Sequence, residues 1–177
     1  ASWPLLTRRG RVAVISQSGT VGAAMMDWFS VEDLGVSGFV SLGNRADVDE
    51  IDLIEYYEHD PHTRVIAAYL EGIKDPARFQ KVIQSLKKPL VVLKSGRTSR
   101  GKVAAESHTK SLAGADSVYS ALFRRYGIYR ADTIEEFYDI SKALAYLEPP
   151  KGNRVLFITT SGGAAILATD AAEQEGI

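Results

Sequence analysis

Short apolar runs alternate along the chain with longer runs whose apolar residues recur at helical spacing. The short runs predict strands at residues 11–16, 36–42, 64–70, 89–94, 128–130 and 154–159. The longer ones predict helices at 21–34, 50–59, 76–87, 116–126, 134–147 and 164–175, with Pro76 and Thr133 suited to helix starts. Val12-Ala13-Val14-Ile15 and Leu90-Val91-Val92-Leu93 are apolar at every position, the pattern of strands covered by helices on both faces. In the fourth helix Val118, Leu122 and Tyr126 fall on one face, expected to pack on the sheet, while Arg124 and Arg125 lie off it.

Strict strand-helix alternation indicates an α/β fold built on a parallel sheet. Five strand-helix units through residue 147 fit a flavodoxin-like doubly wound sheet of order 2-1-3-4-5, whose ligand crevice opens at the carboxyl ends of strands 1 and 3. Function is therefore expected after strands 1, 3 and 4. The domain is read as residues 1–147, followed by a linker at 148–153, where Pro149-Pro150 ends the preceding helix and Gly152 permits a turn. Residues 154–177 are expected to be the first strand and helix of a following, truncated α/β domain.

A chain of 177 residues, 45% of them hydrophobic, can bury a full core. Its 22 acidic and 21 basic residues nearly cancel, so no global field attracts nucleic acid or a membrane surface, and any bound anion must be held locally. Cysteine is absent, which removes disulfides, thiolate nucleophiles and cysteine metal sites. No apolar stretch approaches the roughly 20 residues of a membrane span, and residues 1–9 lack signal-peptide character. A cytoplasmic protein without nucleic-acid or membrane partners is expected.

The segment Ser16-Gln17-Ser18-Gly19-Thr20-Val21-Gly22 joins the first strand to the first helix, where N–H groups and the helix dipole favour an anion. It reads as a phosphate cradle, or as a small-residue turn capped by Ser18 or Thr20. It lacks the glycines of G-x-G-x-x-G, and Ser18 lacks the flanking glycines of a G-x-S-x-G nucleophile elbow. An FMN phosphate loop is a similar outsider. Glu71, at the end of the third strand, is placed to orient an imidazole, the alternative being a solvated strand-end charge. Asp75 reads as the cap before Pro76. Gly96 to Lys102 spells most of a P-loop, but Val103 stands where a hydroxyl must ligate magnesium. An overlong loop continues to Gly114, and such loops usually serve function. His108 sits in it among Ser107, Thr109, Lys110 and Ser111, and no histidine spacing suggests a metal site.

Taken in order, Ile15-Ser16-Gln17-Ser18-Gly19, Gly43-Asn44-Arg45-Ala46-Asp47, Tyr69-Leu70-Glu71-Gly72, Lys94-Ser95-Gly96-Arg97, Ser107-His108-Thr109 and Ser111-Leu112-Ala113-Gly114 resemble one family. It is that of the ADP-forming acetate-CoA ligases, the NDP-forming acyl-CoA synthetases related to succinyl-CoA synthetase. The resemblance implies that His108 carries a phosphoryl group taken from an acyl phosphate and passed to ADP, and that Glu71 hydrogen-bonds its other ring nitrogen. It implies further that Ser16, Gln17, Ser18, Gly19 and Thr20 hold the phosphoryl oxygens, and that Ser107, Thr109 and Lys110 support the loop. Ser161-Gly162-Gly163 looks like a second phosphate-facing helix start, in the family's third domain.

The implied substrates are acyl-CoA, phosphate, coenzyme A and ATP or ADP with Mg, with nothing bound covalently as a cofactor. The implied partners are a CoA-binding Rossmann domain and an ATP-grasp domain or subunit, in an oligomeric full enzyme. Lys110 departs from the pattern, since the family usually has glycine there. Relatives that are acetyl-CoA-dependent protein acetyltransferases keep these domains but lose the histidine. A regulatory or scaffolding module binding acyl-CoA without turnover is therefore the competing expectation.

Overall fold

The computed structural model describes residues 8–32, 34–98, 100–101 and 116–177. The chain divides into two compact units, Ala1–Leu147 and Glu148–Ile177.

In the first unit five strands, β1 (Arg9–Ser16), β2 (Val36–Ser41), β3 (Val65–Leu70), β4 (Leu90–Lys94) and β5 (Tyr129–Ala131), form one sheet of order β2-β1-β3-β4-β5. Every neighbouring pair is parallel. This is the expected doubly wound order. Alternate residues of each central strand feed opposite layers, as the two-residue period of a strand requires. Ala13, Ile15, Ile66, Ala68, Leu70 and Val92 face α2 (Glu50–His59), α3 (Pro76–Ser85) and α4 (Asp116–Arg125). Val12, Val14, Val65, Ala67, Val91 and Leu93 face α1 (Gly19–Val31) and α5 (Ile134–Tyr146).

Helix starts follow their caps. Ser18 Oγ accepts from Val21 N–H, so α1 opens at Gly19, two residues before the position expected from hydrophobic spacing. Asp49 and Asp52 form a reciprocal capping box for α2, Asp75 caps α3 ahead of Pro76, and Thr133 caps α5. Gly22 lets α1 approach the sheet closely: a Cβ there would lie 2.9 Å from the Phe39 ring and 3.0 Å from Ser16 Cβ.

Two expectations are corrected. The buried face of α4 is Tyr119 and Phe123, with Leu122 and Tyr126 packed beside them, while Val118 is 64% exposed. The stripe is the i, i+3, i+4, i+7 set beginning one residue later, so that the two aromatic rings, not the valine, enter the core beside Phe79. The second correction concerns residues 154–159 of the second unit, which join no ladder among the described residues. Leu156 and Ile158 there are 82% and 90% exposed. A strand exists only when its N–H and C=O groups find a partner strand, and among the described residues these find none. The helix that follows, α6 (Gly162–Gln174), forms with Ser161 as its cap.

Phe123, 1% exposed, is edge-on to Phe79 with centroids 6.5 Å apart. Phe123→Ala should lower stability by about 3–5 kcal/mol. Val118→Ala should stay within about 0.5 kcal/mol. Urea unfolding checks both, and comparable losses at the two positions would contradict the described helix face.

Candidate functional site

The carboxyl ends of β1 and β3 lie side by side, with Ser16 paired to Tyr69 in register and Gln17 N–H donating to the Tyr69 carbonyl at 3.1 Å. The loops leaving them therefore start together. On the β1 side Ser16 is buried and its hydroxyl donates to the Ser18 carbonyl at 2.6 Å, while Ser18 N–H donates back to Ser16 Oγ at 3.2 Å. This tight turn presents Gly19 and Thr20 at the solvent-exposed first turn of α1. An anion is favoured there by the helix dipole and by N–H groups that have no helical acceptor.

Gln17 turns the other way. Its Oε1 accepts from the N–H groups of Glu71 (2.7 Å) and Gly72 (3.1 Å). Its Nε2 donates to the Gly72 carbonyl (2.8 Å) and to Glu50 Oε2 (3.1 Å). Both amide hydrogens and the backbone N–H are thus engaged inside the protein, leaving Gln17 no donor for the phosphoryl contact expected of it. Glu50 is fully buried. Its Oε2 also receives Arg45 Nη1 at 3.1 Å, and its Oε1 receives Lys74 N–H at 2.8 Å. Arg45 Nη1 donates in addition to the Gly72 carbonyl at 3.1 Å, and Lys74 Nζ donates to the Arg45 carbonyl at 3.4 Å. Arg45 has φ of 53°, uncommon for a residue with a side chain. The loops after β1, β2 and β3 are in this way joined by one polar network.

Glu71, 9% exposed, is not the solvated strand-end charge that was the alternative reading. Its carbonyl accepts from Lys94 Nζ at 2.9 Å, and Lys94 also donates to the Ser95 carbonyl and stands 5.1 Å from the Tyr119 ring centroid. Burial pushes the Lys94 ammonium below its ordinary pKa, a shift that Asp116 opposes, Arg130 reinforces and Glu71 opposes. The Tyr69 hydroxyl is raised, mainly by burial; a hydrogen bond with Ser95 opposes the shift and the nearby Glu71 carboxylate adds to it. A carboxylate and a phenol thus lie together where β3 ends.

His108, Ser107, Thr109 and Lys110 lie outside the described residues. The loop leading toward them begins with Arg97 paired to Asp132 at 2.6 Å, and Gly101 N–H donates to Thr98 Oγ1 at 3.0 Å. Residues 100–101 are helical, where unstructured loop was expected. Ser161, Gly162 and Gly163 belong to the second unit, where Ser161 Oγ accepts from Ala164 N–H at 3.3 Å and all three residues are exposed.

Sequence reasoning brought Ser16, Ser18, Gly19, Thr20 and Glu71 to one place. It quoted Arg45, Tyr69 and Lys94 within the family motifs without giving them a part in that place, and it missed Glu50. Glu50 looks like an ordinary first-turn acid and Lys94 like a strand-end charge; only their burial sets them apart.

Residues 9–144 match the succinyl-CoA ligase like flavodoxin domain. The chain is 51% identical over 170 residues to the alpha subunit of acetate–CoA ligase [ADP-forming] I of Pyrococcus furiosus, covering 95% of this chain and 37% of that one. It is 46% identical over 164 residues to acetate–CoA ligase [ADP-forming] of Methanocaldococcus jannaschii, covering 92% of this chain and 23% of that one. It thus spans well under half the length of these curated relatives. The dinucleotide forming acetyl-coenzyme A synthetase 1 of Ca. Korarchaeum cryptofilum, solved in complex with phosphate and ADP, superposes with a TM-score of 0.88 at 42% identity, covering 96% of this chain and 37% of that one. With the sheet order, the crevice residues and a family match that spans nearly all of the first unit, the chain belongs to the succinyl-CoA ligase-like flavodoxin domain family.

Proposed function

We propose that this chain is the phosphoryl-carrying domain of an ADP-forming acid-CoA ligase, with His108 as the carrier. The observation that carries the reading is the buried Glu71 beside the exposed start of α1, in a chain 51% identical to an ADP-forming acetate–CoA ligase alpha subunit. Phosphate displaces CoA from acyl-CoA to give an acyl phosphate. An unprotonated nitrogen of His108 attacks phosphorus, the bond from phosphorus to the acyl oxygen breaks, and the carboxylate leaves with its electron pair. A terminal oxygen of ADP then attacks the phosphohistidine, giving ATP and free imidazole.

Glu71 accepts the other ring N–H in this scheme and holds the tautomer whose free nitrogen faces phosphorus. Ser18, Gly19 and Thr20, at the positive end of α1, stabilise the charge on the phosphoryl oxygens. Ser107, Thr109 and Lys110 would support the loop, and Ser161, Gly162 and Gly163 would offer a second phosphate-facing helix start. ADP with Mg would be held by an ATP-grasp domain or subunit and CoA by a Rossmann domain, within an oligomeric enzyme of the cytoplasm, where these substrates are supplied. The histidine itself favours ligase chemistry over a module that binds acyl-CoA without turnover.

Incubation with labelled ATP and the ATP-grasp partner should give acid-labile, alkali-stable phosphate on the chain, absent in His108→Asn. Equal labelling of the two would overturn the proposal. Glu71→Gln should fold normally yet label roughly 10- to 100-fold more slowly, the usual effect of losing an orienting partner; an unchanged rate would leave Glu71 without this role. A fluorophosphonate probe should leave Ser18 unmodified, and modification there would instead indicate a serine nucleophile.

A further inference from the structure

Four hydrogen-bonding groups flank the Glu71 Cα or lie one residue beyond it, and all four are clamped. Glu71 N–H and Gly72 N–H donate to Gln17 Oε1, the Glu71 carbonyl receives Lys94 Nζ, and the Gly72 carbonyl receives both Gln17 Nε2 and Arg45 Nη1. A strand end followed by glycine is otherwise free to wander, because glycine imposes little on φ and ψ. Gln17 is held in turn: Glu50 fixes its Nε2, and Arg45 and the Lys74 N–H fix Glu50. Glu50 is fully buried and Gln17 is only 8% exposed. A buried polar set of this kind fixes geometry when every member is satisfied.

We infer that Gln17, Glu50 and Arg45 form a brace that fixes the backbone carrying the Glu71 carboxylate at the end of β3, which makes Gln17 a positioning residue for phosphoryl transfer. The inference rests on the phosphohistidine reading above. Its consequence is that Gln17 acts on the chemistry only through Glu71. A misplacement of about 1 Å can lower a rate by up to roughly 100-fold.

The test is a double-mutant cycle in the enzyme assembled with its ATP-grasp partner, following the rate of His108 phosphorylation from ATP across pH. Gln17→Met should slow the rate by about tenfold, and in a Glu71→Gln background it should add less than about twofold. Because a neighbouring carboxylate favours the charged imidazole, its loss lowers the imidazole pKa, so the acid limb of the profile should move to lower pH in Gln17→Met as in Glu71→Gln. Arg45→Lys, whose ammonium ends one bond short of the Nη1 that holds both Glu50 and the Gly72 carbonyl, should give a smaller effect of the same kind and serves if Gln17→Met does not fold. Fully multiplicative losses with no movement of the acid limb would overturn the brace while leaving the carrier role of His108 intact. A wild-type rate for Glu71→Gln alone would instead overturn the reading on which the brace rests.

Discussion

The Gln17 side chain reaches across from the end of β1 and holds the two peptide groups that follow β3. Parallel strands place their carboxyl ends together, but a sheet ladder stops at the last paired residue, and what lies beyond it must be held by something else. Here a single buried amide continues the pairing by one more step. Removing it would leave the N–H groups of Glu71 and Gly72 buried without acceptors, a loss of about 1–3 kcal/mol for each. The position of Glu71 relative to the start of α1 depends on that amide.

The surroundings are arranged to make such a contact possible. Ser16 folds its hydroxyl under the turn, so Ser18 caps α1 and Gln17 is directed inward between them. Gly22 brings α1 down onto β1 and β2, and the turn carrying Arg45 at positive φ brings a guanidinium to Glu50 from the β2 side. On the β4 side Lys94, desolvated over Tyr119, closes the remaining carbonyl. One helix start therefore faces solvent beside a set of polar groups that are directed at one another.

Much of the fold was legible because two periods dominate it: continuous apolar runs in β1 and β4 and helical spacing between strands yield the sheet order directly. What escaped was decided by contacts far apart in the chain. Val118 and Tyr119 are one residue apart on α4, and only the presence of Phe79 across the core selects the aromatic face. Residues 154–159 have a strand's composition, yet pairing is a property of two strands, not one. The location of Glu71 at the end of β3 was legible from the strand pattern. Gln17 was placed at the right spot and given the wrong contacts, because its partners Glu50, Glu71 and Gly72 lie 33, 54 and 55 positions away.

The central claim is that one histidine holds the phosphoryl group between acyl phosphate and nucleotide. Site mapping tests it most directly: the chain is incubated with ATP and the ATP-grasp domain or subunit proposed to hold the nucleotide, digested at alkaline pH and sequenced by electron-transfer mass spectrometry. A single phosphate on His108, lost when the peptide is acidified, is the expected result. Acid-stable phosphate on Ser107, Thr109, Ser111 or Ser18, with His108 bare, would contradict it.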